Sequence, residues 1–165
     1  NLLKKVIPST TSSLKLIYFI NLIPFGLLVY AFSISDFTLL NVVENSYIDD
    51  PIFYKVTSAW GSHEGSILLW VFLINLFGVF FLYKNQTVEI HKNILFISTL
   101  FILYVIVSSN PFTYVEANEN VLGLGLNPIL QHFLFVIHPP TLFLGYIGLI
   151  IPFVISAHML SLIHI

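Results

Sequence analysis

Four long apolar stretches constrain this chain more than any other feature of its sequence. They cover residues 14–34, 66–83, 93–109 and 141–163. A membrane-spanning helix needs about 20 apolar residues, with a range of about 17 to 25, and each stretch satisfies this requirement. Only 8% of the residues are charged, far fewer than in a typical soluble domain. The sequence therefore predicts an all-α integral membrane fold with about four transmembrane helices in a single membrane domain. Pro24 and Pro152 predict kinks in the first and last helices.

The composition excludes several kinds of chemistry. The chain has no cysteine, so it can form no disulfide, offer no thiolate ligand and carry no thioether-linked cofactor. Its six basic residues are all lysines. Its richness in Phe, Ile, Leu, Asn and Tyr is typical of an A/T-rich, organellar gene. We expect membrane lipid as a partner and no nucleic acid.

The lysines predict the orientation of the helices. Lys4, Lys5 and Lys15 lie at the amino terminus, and Lys84 and Lys92 flank the short loop between the second and third helices. The two long loops, residues 35–65 and 110–140, contain seven acidic residues, Glu119 among them, and a single lysine. Because lysine is retained on the inner side of a membrane, both long loops are predicted to face outward.

The first long loop ends in a motif with two interpretations. Residues 59–66 read Ala-Trp-Gly-Ser-His-Glu-Gly-Ser, immediately before the second helix. In one interpretation Ser62 caps the helix, Glu64 lies in its first turn and Trp60 lies at the membrane boundary. In the other, His63 and Glu64 belong to a cofactor or proton site, because ionisable groups at membrane depth are costly.

The second long loop contains a histidine next to two prolines. Residues 129–137 are too short to span a membrane and are predicted to form an interfacial helix. Pro139 is expected to end that helix and to push His138 out of helical geometry, and Pro139 and Pro140 then suit the start of helix four. His138 would lie at the outer mouth of the bundle with its ring free to point inward. Such an imidazole either ligates haem iron or caps a helix.

The other histidines have no spacing typical of a tetrahedral metal site. We expect a surface role for His132 and a solvated position for His91 in the inner loop. His158 and His164 are expected to meet the lipid headgroups at the inner end of helix four.

The two motifs together resemble a known family. Residues 36–70, which end in Trp-Gly-Ser-His-Glu-Gly-Ser-Ile-Leu-Leu-Trp, resemble the first block of the CcmF-type cytochrome c haem lyases. The Asn-Pro-Ile-Leu-Gln, His-Pro-Pro and Leu-Gly-Tyr-Ile-Gly segments of residues 127–148 resemble the next block. The blocks occur in the family's order across about residues 36–157, within the amino-terminal part of such a protein.

The resemblance implies a function for these residues. His138 would be an axial ligand of haem iron, Trp60 would contact haem or the membrane interface, and His63 would be a further haem-binding candidate. Haem b would be a substrate or bound cofactor, and cysteines of apocytochrome c would add across its vinyl groups at the outer face. The expected location is the mitochondrial inner membrane, or alternatively a bacterial plasma membrane, with the long loops in the intermembrane space or periplasm.

The sequence also departs from the family pattern. The family's tryptophan-rich haem loop and its transmembrane haem-binding histidines are expected after helix four, where this chain stops. Either further sequence of the same protein supplies these parts, or the protein is split. In the second case the expected partners are the remaining parts of a split haem lyase, and in both cases other Ccm-type maturation subunits. Two alternatives stay open: a structural membrane subunit derived from a haem lyase within a larger respiratory complex, and a proton-coupled transporter. The second is disfavoured because the acids lie at helix ends.

Overall fold

The computed structural model describes residues 2–84, 87–116 and 121–163, so Glu119 and His164 lie outside the described residues. Within these ranges the regular elements are α-helices, one 3₁₀ turn at Pro128–Leu130 and an isolated bridge between Leu39 and Tyr114. The helices are α1 Leu2–Ser33, α2 Leu40–Asn45, α3 Ile52–Gly61, α4 His63–Lys84, α5 Val88–Ser108, α6 Phe133–Gly148 and α7 Ile150–Ile163.

Four spans are long and apolar enough to cross a membrane, which confirms the all-α, multi-pass fold. They are Thr11–Ser33, His63–Lys84, Val88–Ser108 and Phe133–Ile163. The second to fourth spans begin three to eight residues earlier than the apolar stretches indicate, because polar first turns such as His63-Glu64 and Val88–Lys92 are already helical. The most apolar windows of α4 and of the last span are 56% and 11% buried, respectively. The helix α4 is therefore the centre of the bundle.

The last span differs from the prediction at its start and in the position of its interruption. Residues 129–137 do not form a separate interfacial helix, because α6 begins at Phe133 and continues through Pro139 and Pro140. These prolines lack the N–H groups that would bond to the carbonyls of the preceding turn, and Thr141 Oγ1 bonds to the carbonyl of His138 at 2.9 Å. A kink was predicted at Pro152, and the helix is interrupted three residues before it, at Leu149, between α6 and α7. In contrast, α1 continues through Pro24.

The two long loops pack together at one end of the bundle, which we call the loop end. There α1 and α5 finish and α4 and α6 begin. The amide of Leu40 bonds to the carbonyl of Thr113 at 2.9 Å and the amide of Leu124 to the carbonyl of Val43 at 2.8 Å. Gly123 has a φ of +83°, and a Cβ there would overlap the carbonyl of Ser46, so only glycine suits this position. At the opposite end, the lysine end, Lys15 lies over the Tyr83 ring.

Candidate functional site

The His138 side chain lies on α6, in its second turn, near the loop end. Contacts with the first long loop position this helix: the Phe133 ring stacks on Phe53 of α3 at 6.4 Å, and Phe135 lies beside Gly61. The His138 ring is exposed, and it makes no hydrogen bond within the part of the chain that the structure describes. The prediction that His138 leaves helical geometry and is free to point into the bundle is therefore wrong. Because α6 starts at Phe133, the helical register turns His138 away from α4.

The surface around His138 is apolar and open. Leu134 and Leu142, one turn away on either side, are 61% and 41% exposed. A Cβ added at Gly145, two turns further along the helix, would meet nothing within 4 Å. This face therefore presents one imidazole on a flat apolar strip.

Trp60 is positioned from the end of α3, one residue before Gly61. Its side chain is partly buried and packs against the core, and its carbonyl accepts a hydrogen bond from Ser66 Oγ at 2.8 Å. Its indole Nε1 is buried, and no acceptor for it is found among the described residues. The Trp60 side chain therefore packs into the core at the end of α3. Trp70, two turns into α4, stacks on Phe101 of α5 at 5.5 Å.

His63 and Glu64 lie in the first turn of α4, as predicted. Ser62 Oγ accepts a hydrogen bond from the Gly65 amide at 3.0 Å, which confirms the predicted cap. The exposed ring of His63 places Nδ1 3.3 Å from Ser109 Oγ, at the end of α5. A Cβ at Gly65 would overlap the carbonyl of Ala59, so this glycine permits the sharp turn between α3 and α4.

The residues near His138 fit haem in one respect. An exposed imidazole beside an apolar strip can supply an axial ligand and a flat contact for a porphyrin. Within the described ranges, no group of three or more His, Asp or Glu side chains could hold a bare metal ion. The described residues around His138 therefore form an open face rather than an enclosed pocket.

A buried histidine at the lysine end was not anticipated. His91 is fully buried, and its Nδ1 lies 2.9 Å from Tyr18 Oη. The prediction of a solvated His91 is wrong because α5 begins at Val88: within this first turn Glu89 and Lys92 pair at the surface, and His91 faces the bundle. A Cβ at Gly78 of α4 would overlap the Tyr18 ring, so three helices meet here.

A second polar cluster links the same three helices near mid-membrane. Asn75 lies 12 residues into α4, about 18 Å from its start. Asn21 Nδ2 donates to Asn75 Oδ1 at 3.0 Å, and Asn75 Nδ2 donates to Ser98 Oγ at 2.7 Å. The signal that could have revealed this cluster is the presence of Asn or Ser within three apolar stretches at matching depth.

The fold and the loop-end motifs define a class of polytopic membrane protein with a histidine-proline-proline segment at the start of its last span. Residues 60–164 match the family described as cytochrome C assembly protein. The chain belongs to this family. No solved structure matches the chain.

Curated relatives agree with this assignment. The cytochrome c-type biogenesis protein CycK of Bradyrhizobium diazoefficiens is 43% identical over 125 residues, which cover 72% of this chain and 19% of the relative. The cytochrome c-type biogenesis protein CcmF of Haemophilus influenzae is 40% identical over 137 residues, covering 79% and 21%. CcmF of Escherichia coli is 38% identical over 144 residues, covering 83% and 22%. The chain thus spans about a fifth of the length of these relatives. The predicted CcmF-type family is confirmed.

Proposed function

We propose that this chain is part of a membrane haem lyase that handles haem and supports its covalent attachment to apocytochrome c. The observation that carries the proposal is its similarity to cytochrome c-type biogenesis proteins over 72–83% of its length. Other Ccm-type maturation subunits are the partners to be expected from this family. Because the chain spans about a fifth of those relatives, the activity of the whole protein belongs to the proposal.

His138 is the residue proposed to meet haem. Its imidazole is exposed near the loop end, and the apolar side chains of Leu134 and Leu142 flank it one turn away. When bound, the haem would supply the vinyl groups to which the cysteine sulfurs of the apocytochrome add. The role of His138 would be to hold the haem iron as an axial ligand and so to orient the porphyrin at the membrane surface.

Trp60 and His63 have different places in the proposal. Trp60 is partly buried against the core at the end of α3, which favours a positioning role at the base of the loop end over direct contact with haem. His63 is exposed and shares a contact with Ser109, so it remains a candidate for a second contact with haem.

The proposed location is the mitochondrial inner membrane, with a bacterial plasma membrane as the alternative, and the loop end facing the intermembrane space or periplasm. The lysine distribution supports this orientation: Lys15, Lys84 and Lys92 lie towards one end of the bundle and Lys55 alone lies at the other among the described lysine side chains. The relatives named above are bacterial.

The test is His138→Ala in the full-length protein. The variant should insert and assemble normally but lose haem capture and c-type cytochrome maturation, and external imidazole should partly restore haem binding by occupying the vacated ligand position. His158→Ala, at the lysine end of α7, is the matched control and should behave like the parent. Full haem binding and maturation in the His138 variant would favour the alternative of a structural subunit within a larger respiratory complex.

A further inference from the structure

A polar cavity lies at the loop end, and its described lining residues do not include any residue of α6. Its volume is about 190 Å³, and it is formed by α2, the first turn of α4 and the end of α5. Two acidic residues, Glu44 and Glu64, line it together with Ser108. Glu44 is exposed and Glu64 is partly buried. Two acids beside one opening favour a cationic group in the cavity.

Asn41 adds a second, independent feature to this cavity, a buried hydrogen-bond donor. Its side chain lines the cavity and is 5% exposed. Its Oδ1 accepts a hydrogen bond from Asn45 Nδ2 at 3.0 Å, which fixes the orientation of the amide. Its Nδ2 is buried, and none of the residues in the described ranges accepts a hydrogen bond from it. A buried donor of this kind is costly unless a ligand or water supplies an acceptor. A ligand that brings an acceptor atom to Asn41 would remove this cost.

An apolar cavity begins where the polar one ends. Asn110 lines both. The apolar cavity has a volume of about 240 Å³ and extends between α1, α4 and α5, where Leu68, Val71 and Ile102 line it. Val71 is eight residues after His63, which places it about 12 Å below the start of α4. The polar cavity is thus followed by the apolar one in the direction of the helices. This order suits an amphipathic molecule that lies parallel to the membrane normal.

We propose that these two cavities bind phosphatidylethanolamine, a phospholipid whose head group carries a primary ammonium and no carboxylate. The ammonium would meet Glu44 and Glu64, a phosphate oxygen would accept from Asn41 Nδ2 and Ser108 Oγ, and the part of one acyl chain nearest the head group would occupy the apolar cavity. A lysine or arginine from a partner protein brings only donors and leaves Asn41 unpaired. A choline head group has no N–H to donate to the carboxylates. The proposal is independent of haem at His138.

The experiment reconstitutes the full-length protein with equal amounts of phosphatidylethanolamine and phosphatidylcholine and measures the retained lipids by native mass spectrometry. The parent should retain phosphatidylethanolamine in preference to phosphatidylcholine. Asn41→Asp keeps the acceptor for Asn45 but replaces the unpaired donor with a third acid, and Glu64→Gln removes one carboxylate. Each change should lower retention about tenfold, since each removes a charge-assisted contact. Asp49→Asn, an exposed acid that lines neither cavity, should have no effect.

A further measurement distinguishes binding of an intact lipid from binding of its soluble head group alone. Soluble glycerophosphoethanolamine carries the same head group without acyl chains and should fail to displace the bound lipid, because the apolar cavity contributes to its binding. Equal retention of the two lipids by the parent would overturn the proposal. So would retention in the Asn41→Asp and Glu64→Gln variants that equals retention in the Asp49→Asn control.

Discussion

Tyr18 Oη lies 2.9 Å from His91 Nδ1, so a hydrogen bond joins α1 to the first turn of α5 inside the bundle. Gly78 of α4 leaves the space in which the Tyr18 ring lies. The edge of the Tyr18 ring meets the His91 ring at 74°, and Phe81 packs against the same imidazole. The arrangement connects three helices through one tyrosine and explains why a histidine beside a charged loop is fully buried.

Gly78→Ala should destabilise the protein strongly. The added Cβ would overlap the Tyr18 ring, and overpacking of this kind costs about 1–3 kcal/mol. Thermal unfolding of the purified protein in detergent would measure the loss. Gly26→Ala is the control, because a Cβ there meets nothing within 4 Å, and it should leave the unfolding temperature unchanged or slightly higher. An equal effect of the two substitutions would contradict the described packing of α1 on α4.

Asn75→Leu should weaken the association of α4 with α1 and α5. The change removes two side-chain hydrogen bonds between helices, to Asn21 and Ser98, and each such bond in a membrane protein contributes about 0.6 kcal/mol, up to about 1.7. The free energy of unfolding in a denaturing detergent titration would report the change. Asn93→Leu, at an exposed position of α5, is the control. A stability loss no larger than that of the control would show that the cluster does not hold the helices together.

His132 should act as a helix cap rather than as a haem ligand. Its Nδ1 accepts a hydrogen bond from the Leu134 amide at 3.1 Å, at the start of α6. Loss of an N-cap typically costs about 1 kcal/mol, and asparagine is a good substitute. His132→Ala should therefore lower the unfolding temperature slightly, His132→Asn should restore it, and both should support cytochrome maturation. Abolished maturation in the asparagine variant, with normal stability, would give His132 a chemical role instead.

The orientation can be tested by labelling single cysteines, since the chain contains none of its own. Tyr114 is 78% exposed at the loop end, and Thr87 is exposed at the lysine end. In sealed vesicles of known sidedness, a membrane-impermeant reagent applied from the periplasmic or intermembrane-space side should label Tyr114→Cys and not Thr87→Cys. The reverse pattern would place the loop end inside and would end the case for haem attachment there.

The helices could be predicted from the sequence because apolar length is a local property, and the spans contain all four apolar stretches apart from an end residue or two. The start of the last span could not be predicted from the sequence. It depends on how Phe133 and Phe135 pack on the distant segment around Phe53 and Gly61. The Ser62 cap was predictable from spacing alone. The burial of His91 was not, since the polar loop sequence around it conceals which face of the first turn meets Tyr18.

The candidate site was predicted in part. His138 was identified from its neighbours Pro139 and Pro140, and its role stays a prediction. The direction in which the His138 ring points depends on the helical register of α6, and α6 continues through both prolines. Asn41 Nδ2 has no acceptor among the described residues. No sequence pattern indicates this, because the situation arises only when α2 folds against the ends of α4 and α5.

The proline pair in α6 also divides that helix mechanically. Pro139 and Pro140 remove two consecutive hydrogen bonds from the helical ladder, so residues 133–138 are joined to the rest of α6 by fewer backbone hydrogen bonds than in an uninterrupted helix. Local unfolding is easiest where such contacts are fewest. The first six residues of α6 can therefore open as a unit while the helix beyond Thr141 stays folded, and His138 is the last residue of that unit.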